Sequence, residues 1–263
     1  MKFALTIHHY FASITALLLI FSLGCGRTDS KNISIACASN VQFAMEEICR
    51  EFEKEHDLST SLIIASSGKL TAQIIEGAPY DIFVSADMKF PNEVFKQGFA
   101  FAEPQLYAYG QLALVSTKSA MKADLHNLEN PKINHIAIAN PKIAPYGIAA
   151  EQVLRHYGYY EKIKDKLVFG ESISQTNQFI STGAAEIGFT SYSSVKAFKN
   201  KDITYFSTFE EGSYSAIEQG VVQIKHSKKD PREAKMFYLF LFSEKAKEIF
   251  KNYGYKIPNG GLL

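Results

Sequence analysis

Between Ser61 and Asp87 the chain has almost no slack. Ser61–Ala65 is an apolar run that reads as a strand, and Ser66-Ser67-Gly68 is a tight polar turn. A short helix follows with Leu70 and Ile74 on one face and Gly77 placed to stop it, and Asp81–Ser85 reads as the next strand. Strands separated by so compact a helical crossover belong to a parallel, layered α/β sheet. In this reading Ser67 caps the helix, so the first-turn N–H groups point outward beside a hydroxyl, and Gly68 lets another body approach the backbone. One such turn is most simply a helix cap. A second lies upstream, where strand-like Ile33–Ala38 runs into Ser39-Asn40 and then a helical pattern over Val41–Glu55, with Val41, Met45, Ile48 and Phe52 on one face. Turns at the carboxyl ends of neighbouring parallel strands converge on one crevice, and two capped helix starts facing it suit an anion.

The rest of the chain repeats this plan. Gln111–Thr117 and His135–Ala139 read as strands, and Asn140–Gly147, with two prolines and a glycine, reads as a rigid non-helical loop before a helix over Gly147–Tyr157. Lys166–Gly170 is a strand, Glu171–Gln175 a turn, Thr176–Thr182 a helix and Ala185–Thr190 a strand ending in Ser191-Tyr192-Ser193-Ser194. Gly220–Lys225 and two helices, Pro231–Phe242 and Ser243–Tyr253, are too few for a third domain, so the chain is expected to return and complete the first. The expectation is an α/β fold of two lobes joined by a two-crossing hinge. Lobe I takes residues 33–109 and 220–263 and lobe II takes 110–219, with the crossings near Tyr109-Gly110 and Gln219-Gly220.

Residues 1–25 stand apart from this plan. Lys2 and an apolar run from Tyr10 to Phe21 precede Ser22-Leu23-Gly24-Cys25, the pattern of a secretory signal ending at a cysteine that is acylated after cleavage. The run is shorter than the ~18–20 apolar residues a spanning helix needs. Residues 26–32 then form a polar tether, and the protein is expected in the periplasm or on the outer face of the cell membrane, held only by lipid on Cys25. Cys37 and Cys49 remain, and their places in a strand and a helix favour two buried free thiols over a bridge.

Charge narrows the function. The chain carries 28 basic and 27 acidic residues, a formal net charge of +1, with no basic footprint for nucleic acid. Arg is scarce and absent from the candidate turns, so a carboxylate clamp of the arginine kind is missing. Gly68-Lys69-Leu70-Thr71 lacks the upstream glycine of a phosphate loop, where Ile63 stands instead, and the histidines have no carboxylate or thiol partner at catalytic or metal-ligand spacing. The reading is a binding protein rather than an enzyme, needing no cofactor and no directly coordinated metal.

Five segments then match a known pattern in order: CASN at 37–40, SSGKL at 66–70, EGAPYDIFVSAD at 76–87, NPKIAPYG at 140–147 and GESISQTNQFISTGAAEIGF at 170–189. Through them the chain resembles the molybdate-binding proteins of ABC importers. The resemblance implies a type II periplasmic binding protein fold that closes on molybdate or tungstate and delivers it, as a monomer, to a membrane permease. It implies oxyanion contacts from the Ser39 hydroxyl and the Asn40 amide, from Ser67 with the Gly68 amide, and from the amides of Tyr146 and Ile173. A tyrosine hydroxyl that some members offer falls on Ser191, where this chain departs, leaving Ser191 or Tyr192 to substitute. Sulfate or another tetrahedral oxyanion is the alternative ligand.

Overall fold

The computed structural model describes residues 32–116, 122–198, 205–225 and 231–259. The expected signal, the Cys25 lipidation site and nearly all of the tether lie outside the described residues. Two five-stranded sheets, each flanked by helices, organise the rest.

The first sheet has the order β2 (Ser59–Ala65), β1 (Asn32–Ala38), β3 (Ile82–Val84), β10 (Ile217–Gln223) and β4 (Gln105–Gly110). The β1–β3 pair is parallel, with Ile35 opposite Ile82, and β1 lies between β2 and β3, the two strands that the close helical crossover joins. Strand β10, arriving from the other lobe, runs antiparallel to both β3 and β4. The second sheet has the order β7 (Leu167–Gly170), β6 (Ile136–Ala139), β8 (Ile187–Ser191), β5 (Leu112–Ser116) and β9 (Tyr205–Thr208). Here β6 is parallel to β7 and β8, while β5 is antiparallel to β8 and β9. The sheets are therefore mixed, not purely parallel. The strands that enter from the other lobe need no crossover helix and are free to run in the opposite direction.

Alternation along the strands sends side chains to both faces, and both faces are covered. In the first lobe Ile33, Ile35 and Cys37 meet Met45, Ile48 and Phe52 of α1 (Gln42–Glu55). Phe237 of α8 (Pro231–Phe240) and Phe250 of α9 (Glu244–Asn252) join the same cluster. Phe52 packs edge-on to Phe237 at 5.0 Å between centroids. On the opposite face Ala36 and Phe83 meet Leu70 and Ile74 of α2 (Ser67–Ile75) and Val94 of α3 (Lys89–Lys96). Each large side chain buried this way contributes roughly 1.5–3 kcal/mol. In the second lobe Leu112, Leu114, Ile136 and Ile138 pack on Val153 and Leu154 of α4 (Pro145–His156), and Ile163 of α5 (Tyr160–Ile163) joins them. Ala113, Val115 and Ala137 meet Ile180 of α6 (Ile173–Ser181) on the other face, with Val195 of α7 (Tyr192–Ala197) packed beside them. Cys37 and Cys49 are free and buried, and burial pushes the Cys37 thiol well up and the Cys49 thiol to about 12.

Several boundaries differ from the sequence reading. Strands β4 and β9 carry no clear apolar alternation and escaped it. Helix α4 begins at Pro145, so the loop expected to stay non-helical through Gly147 already contains the first helical turn. Proline is favoured at that position because its missing N–H would have had no intrahelical partner. Helix α6 likewise begins at Ile173 behind an N-cap at Ser172.

The chain leaves the first sheet at Gly110 and resumes it at Ile217, which pairs with Gly110. Gln219 and Gly220 lie inside β10, at a register shift. Neither Gly110 nor Gly220 has a positive φ, so backbone freedom is not what requires glycine there. A Cβ on Gly110 would collide with the Tyr146 hydroxyl, and one on Gly220 would lie 2.6 Å from Met88 Sδ. Close packing accounts for both glycines.

Candidate functional site

The four polar turns end strands and start helical segments on both sides of one cleft, and they enclose a single small cavity. Ala38, Ser39, Asn40, Ser66, Ser67 and Ala86 line it from the first lobe, and Ala144, Pro145, Tyr146 and Ile173 from the second. The cavity is tight, leaving only ≈ 10 Å³ for the centre of a water-sized body. That is far below the ~300–1,000 Å³ of pockets for drug-sized ligands and about the least that admits one small body. None of its lining residues is charged. Two larger depressions offer less. One, ≈ 370 Å³, lies against apolar Phe101 and Leu239, and the other, ≈ 550 Å³, lies at the crossings beside the exposed Lys256–Glu211 ion pair. The first includes the start of one helix, at Pro231, and the second none, so neither gathers helix starts from two lobes.

Each first-lobe group owes its place to a strand end. Ser39 follows β1 directly and opens a 3₁₀ turn, Ser39–Val41, that leads into α1. Its hydroxyl oxygen accepts the Ser174 N–H from across the cleft at 3.4 Å, leaving its own hydrogen free to donate. Ser67 is not the helix cap expected from the sequence. Ser66 is the N-cap, with extended φ −71° and ψ 152°, and Ser67 is the first helical residue. The Ser67 oxygen accepts the Ala86 N–H at 2.9 Å, which again leaves a hydrogen to donate. Ser66 is 4% exposed, and its hydroxyl, with no hydrogen-bond partner, belongs to the cavity wall. Sequence reasoning placed the cap one residue late and so passed over Ser66. The sign available was that two consecutive serines after a strand leave both hydroxyls close to the helix start.

The second lobe contributes main chain. In α4 the Gly147 and Ile148 amides already bond to the Ala144 carbonyl, at 2.9 and 3.4 Å, which leaves the Tyr146 N–H in the first turn without an intrahelical acceptor. In α6 the Gln175 amide bonds to Ser172 Oγ at 3.3 Å and the Thr176 amide to the Ser172 carbonyl at 3.0 Å, and Ile173 is left in the same way. Both helix starts add the positive end of a peptide dipole to the cavity wall.

Ser39, Asn40, Ser67, Tyr146 and Ile173 thus share one cavity, whereas Gly68 and Ser191 do not line it. The Gly68 amide donates across the cleft to the Ile143 carbonyl at 3.0 Å, and a Cβ there would lie 3.0 Å from Ile143 Cα and from Phe90 Cζ. That amide is already engaged in a lobe-to-lobe contact. Ser191 caps α7, its oxygen accepting the Ser194 N–H at 3.3 Å, and is fully buried among Ser193 and Ser194. Tyr192 packs against Phe206 instead of entering the cavity. Lys69 and Glu171 form an exposed ion pair at 3.2 Å on the rim.

Comparison with known proteins agrees with this architecture. Residues 33–256 match the family model of bacterial extracellular solute-binding proteins. The molybdate-binding protein ModA of Azotobacter vinelandii is 36% identical over 90% of this chain and 96% of its own, and ModA of Rhodobacter capsulatus is 35% identical over 93% and 95%. The solved periplasmic molybdate-binding protein of A. vinelandii superposes with a TM-score of 0.79 at 32% identity, covering 86% of this chain and all of that one. The two sheets and paired crossings are those of the two-lobed type II periplasmic binding protein fold, and the chain belongs to the bacterial extracellular solute-binding protein family, with molybdate-binding proteins among its relatives.

Proposed function

We propose that this protein binds molybdate, and tungstate equally, as the extracytoplasmic receptor of an ABC importer. The observation that carries the reading is the convergence, on one small uncharged cavity, of neutral donors from two lobes, in a chain whose relatives are molybdate-binding proteins. The hydroxyls of Ser39, Ser66 and Ser67 and the amides of Asn40, Tyr146 and Ile173 are the donors proposed. A dianion held by such groups is met by charge-assisted hydrogen bonds and helix-start partial charges, with no lysine or arginine.

The magnitudes are sufficient. Six such bonds at ~1.5–3 kcal/mol each give about 9–18 kcal/mol gross. Association and closure remove ~4 kcal/mol or more, which leaves the ~8 kcal/mol of micromolar binding within reach. Donors alone also select. No carboxylate lines the cavity to accept the proton that phosphate carries near neutral pH, and sulfate is too small for fixed amides of both lobes to reach together.

Residues from both lobes are needed to surround the anion, so binding is expected to favour the closed form, with rotation at the crossings, Gly110–Leu112 and the 209–216 segment. The closed monomer is what a permease would engage. Lipid on Cys25 would hold the receptor at the membrane, a reading supported by the apolar run and Leu23-Gly24-Cys25. Calorimetry of anion-stripped protein against molybdate, tungstate, sulfate and phosphate tests the proposal. Matched tight binding of the first two, with the others far weaker, is expected. Sulfate binding as tightly as molybdate would move the function to sulfate uptake.

A further inference from the structure

Behind the cavity a buried polar cluster joins both ligand-facing turns to the crossings. Tyr146 begins at the cavity with its backbone, but its side chain, 2% exposed, reaches back to the Gly110 main chain, where Gln219 Nε2 also lies. Gln219, fully buried in β10, accepts at Oε1 from Asn40 Nδ2 at 2.8 Å and from the Tyr107 hydroxyl at 2.9 Å. The Asn40 carbonyl accepts from the Ser193 hydroxyl at 2.6 Å and from the Tyr255 hydroxyl at 2.9 Å. One cluster therefore touches the first-lobe turn at Asn40, the second-lobe helices at Tyr146 and Ser193, and the returning strand at Gln219.

Three buried atoms of this cluster make no hydrogen bond: Asn40 Oδ1, the Tyr146 hydroxyl and Gln219 Nε2. Their chemistries are complementary. An amide oxygen only accepts, an amide nitrogen only donates, and a phenol does both, so one hydroxyl between the two amides satisfies all three. Burial pushes the Tyr146 hydroxyl well up, and Asn40 and Gln219 lie near enough to offset a part of that.

We propose that the Tyr146 hydroxyl is a positioning group for the anion site. As the lobes tighten it donates to Asn40 Oδ1 and accepts from Gln219 Nε2, locking the ligand turns to the strand that carries the second crossing. The inference rests on the anion-binding reading, because the anion is what draws the Tyr146 and Asn40 backbones together at the cavity. Their side chains then close the bonds behind it. An unpaired buried polar group is costly, so completing the chain favours the closed, liganded form over the open one.

Tyr146→Phe isolates the effect, since it keeps the backbone donor and removes only the hydroxyl. Calorimetry with molybdate should show a dissociation constant raised roughly five- to tenfold, the effect of about one hydrogen bond. A chase of bound radiolabelled molybdate should show that faster release carries the change. The melting temperature of the anion-free variant should stay the same or rise, because phenylalanine removes an unpaired buried hydroxyl. Gln219→Leu should weaken binding less in the Tyr146→Phe background than in the wild type, as expected of partners in one network. Wild-type affinity and release rate in Tyr146→Phe would overturn the inference. So would a lower anion-free melting temperature, which would mark the hydroxyl as an ordinary structural contact. A wild-type protein that failed to bind molybdate would overturn the anion-binding reading itself.

Discussion

The two lobes face the same cavity with different chemistry. The first presents chiefly serine side chains at strand ends, Ser39, Ser66 and Ser67, beside the Asn40 main chain, whereas the second presents only the main chain of two helix starts, at Tyr146 and Ile173. A hydroxyl rotates about its bond and is removed by one substitution. A helix-start amide is fixed by the helix and survives almost any change of side chain. The first lobe should therefore be the fragile half of the site under mutation, and the second the half that sets ligand size.

The largest effect should come from removing two hydroxyls together. Ser39→Ala with Ser67→Ala is expected to weaken molybdate binding by two to four decades, at ~1.5–3 kcal/mol for each donor to a charged ligand. Each single substitution should account for one to two decades. Retention of wild-type affinity by the double variant would show that the first lobe does not use these side chains.

The second lobe can be probed only through its backbone. Ile173 is the first helical residue and Ser172 before it is extended, so Ile173→Pro can keep the helix while deleting the amide. Affinity should fall by about one to two decades. Ile173→Ala keeps the amide and should bind nearly as the wild type does, although both variants lose packing from a buried position and should melt earlier. Equal affinities for Pro and Ala would break the contrast between side-chain and main-chain donors.

A smaller effect is expected at the lobe-to-lobe contact. In Gly68→Ala the new methyl would crowd Ile143 across the cleft, so affinity should drop several-fold. Solution scattering should then need more molybdate to reach the compact state. The smallest effect belongs to the rim. Lys69→Ala removes an exposed ion pair and should change affinity by less than about threefold, with the remainder vanishing in salt. A decade lost there would mean that charge helps to hold the anion after all.

Much of this was legible in the residues. Ile33–Ala38 and Ser61–Ala65 are apolar runs bounded by serine, and they appear as β1 and β2 with at most a two-residue shift at either end. The helical face of Val41, Met45, Ile48 and Phe52 is buried as its spacing required. Strands β4 and β9 were not legible, because their partners, β10 and β5, lie far away in sequence and supply the pairing that their own residues do not announce. Ser191 was a candidate because the family resemblance puts there a hydroxyl that some members offer from tyrosine. The fold turns its hydroxyl into a helix cap.

By itself the sequence determined the order of most strands and helices, the polar turns between them and the absence of arginine from those turns, since these follow from local patterning and residue chemistry. Only the tertiary structure decided which donors remain free. Ser66 and Ser67 are neighbours, yet one hydroxyl oxygen already accepts the Ala86 amide while the other makes no bond. Gly68, one residue further, gives its amide to Ile143 of the other lobe. A hydrogen bond consumes a donor only when a partner arrives in space, and the partners of Gly68 and Gln219 arrive from segments far along the chain.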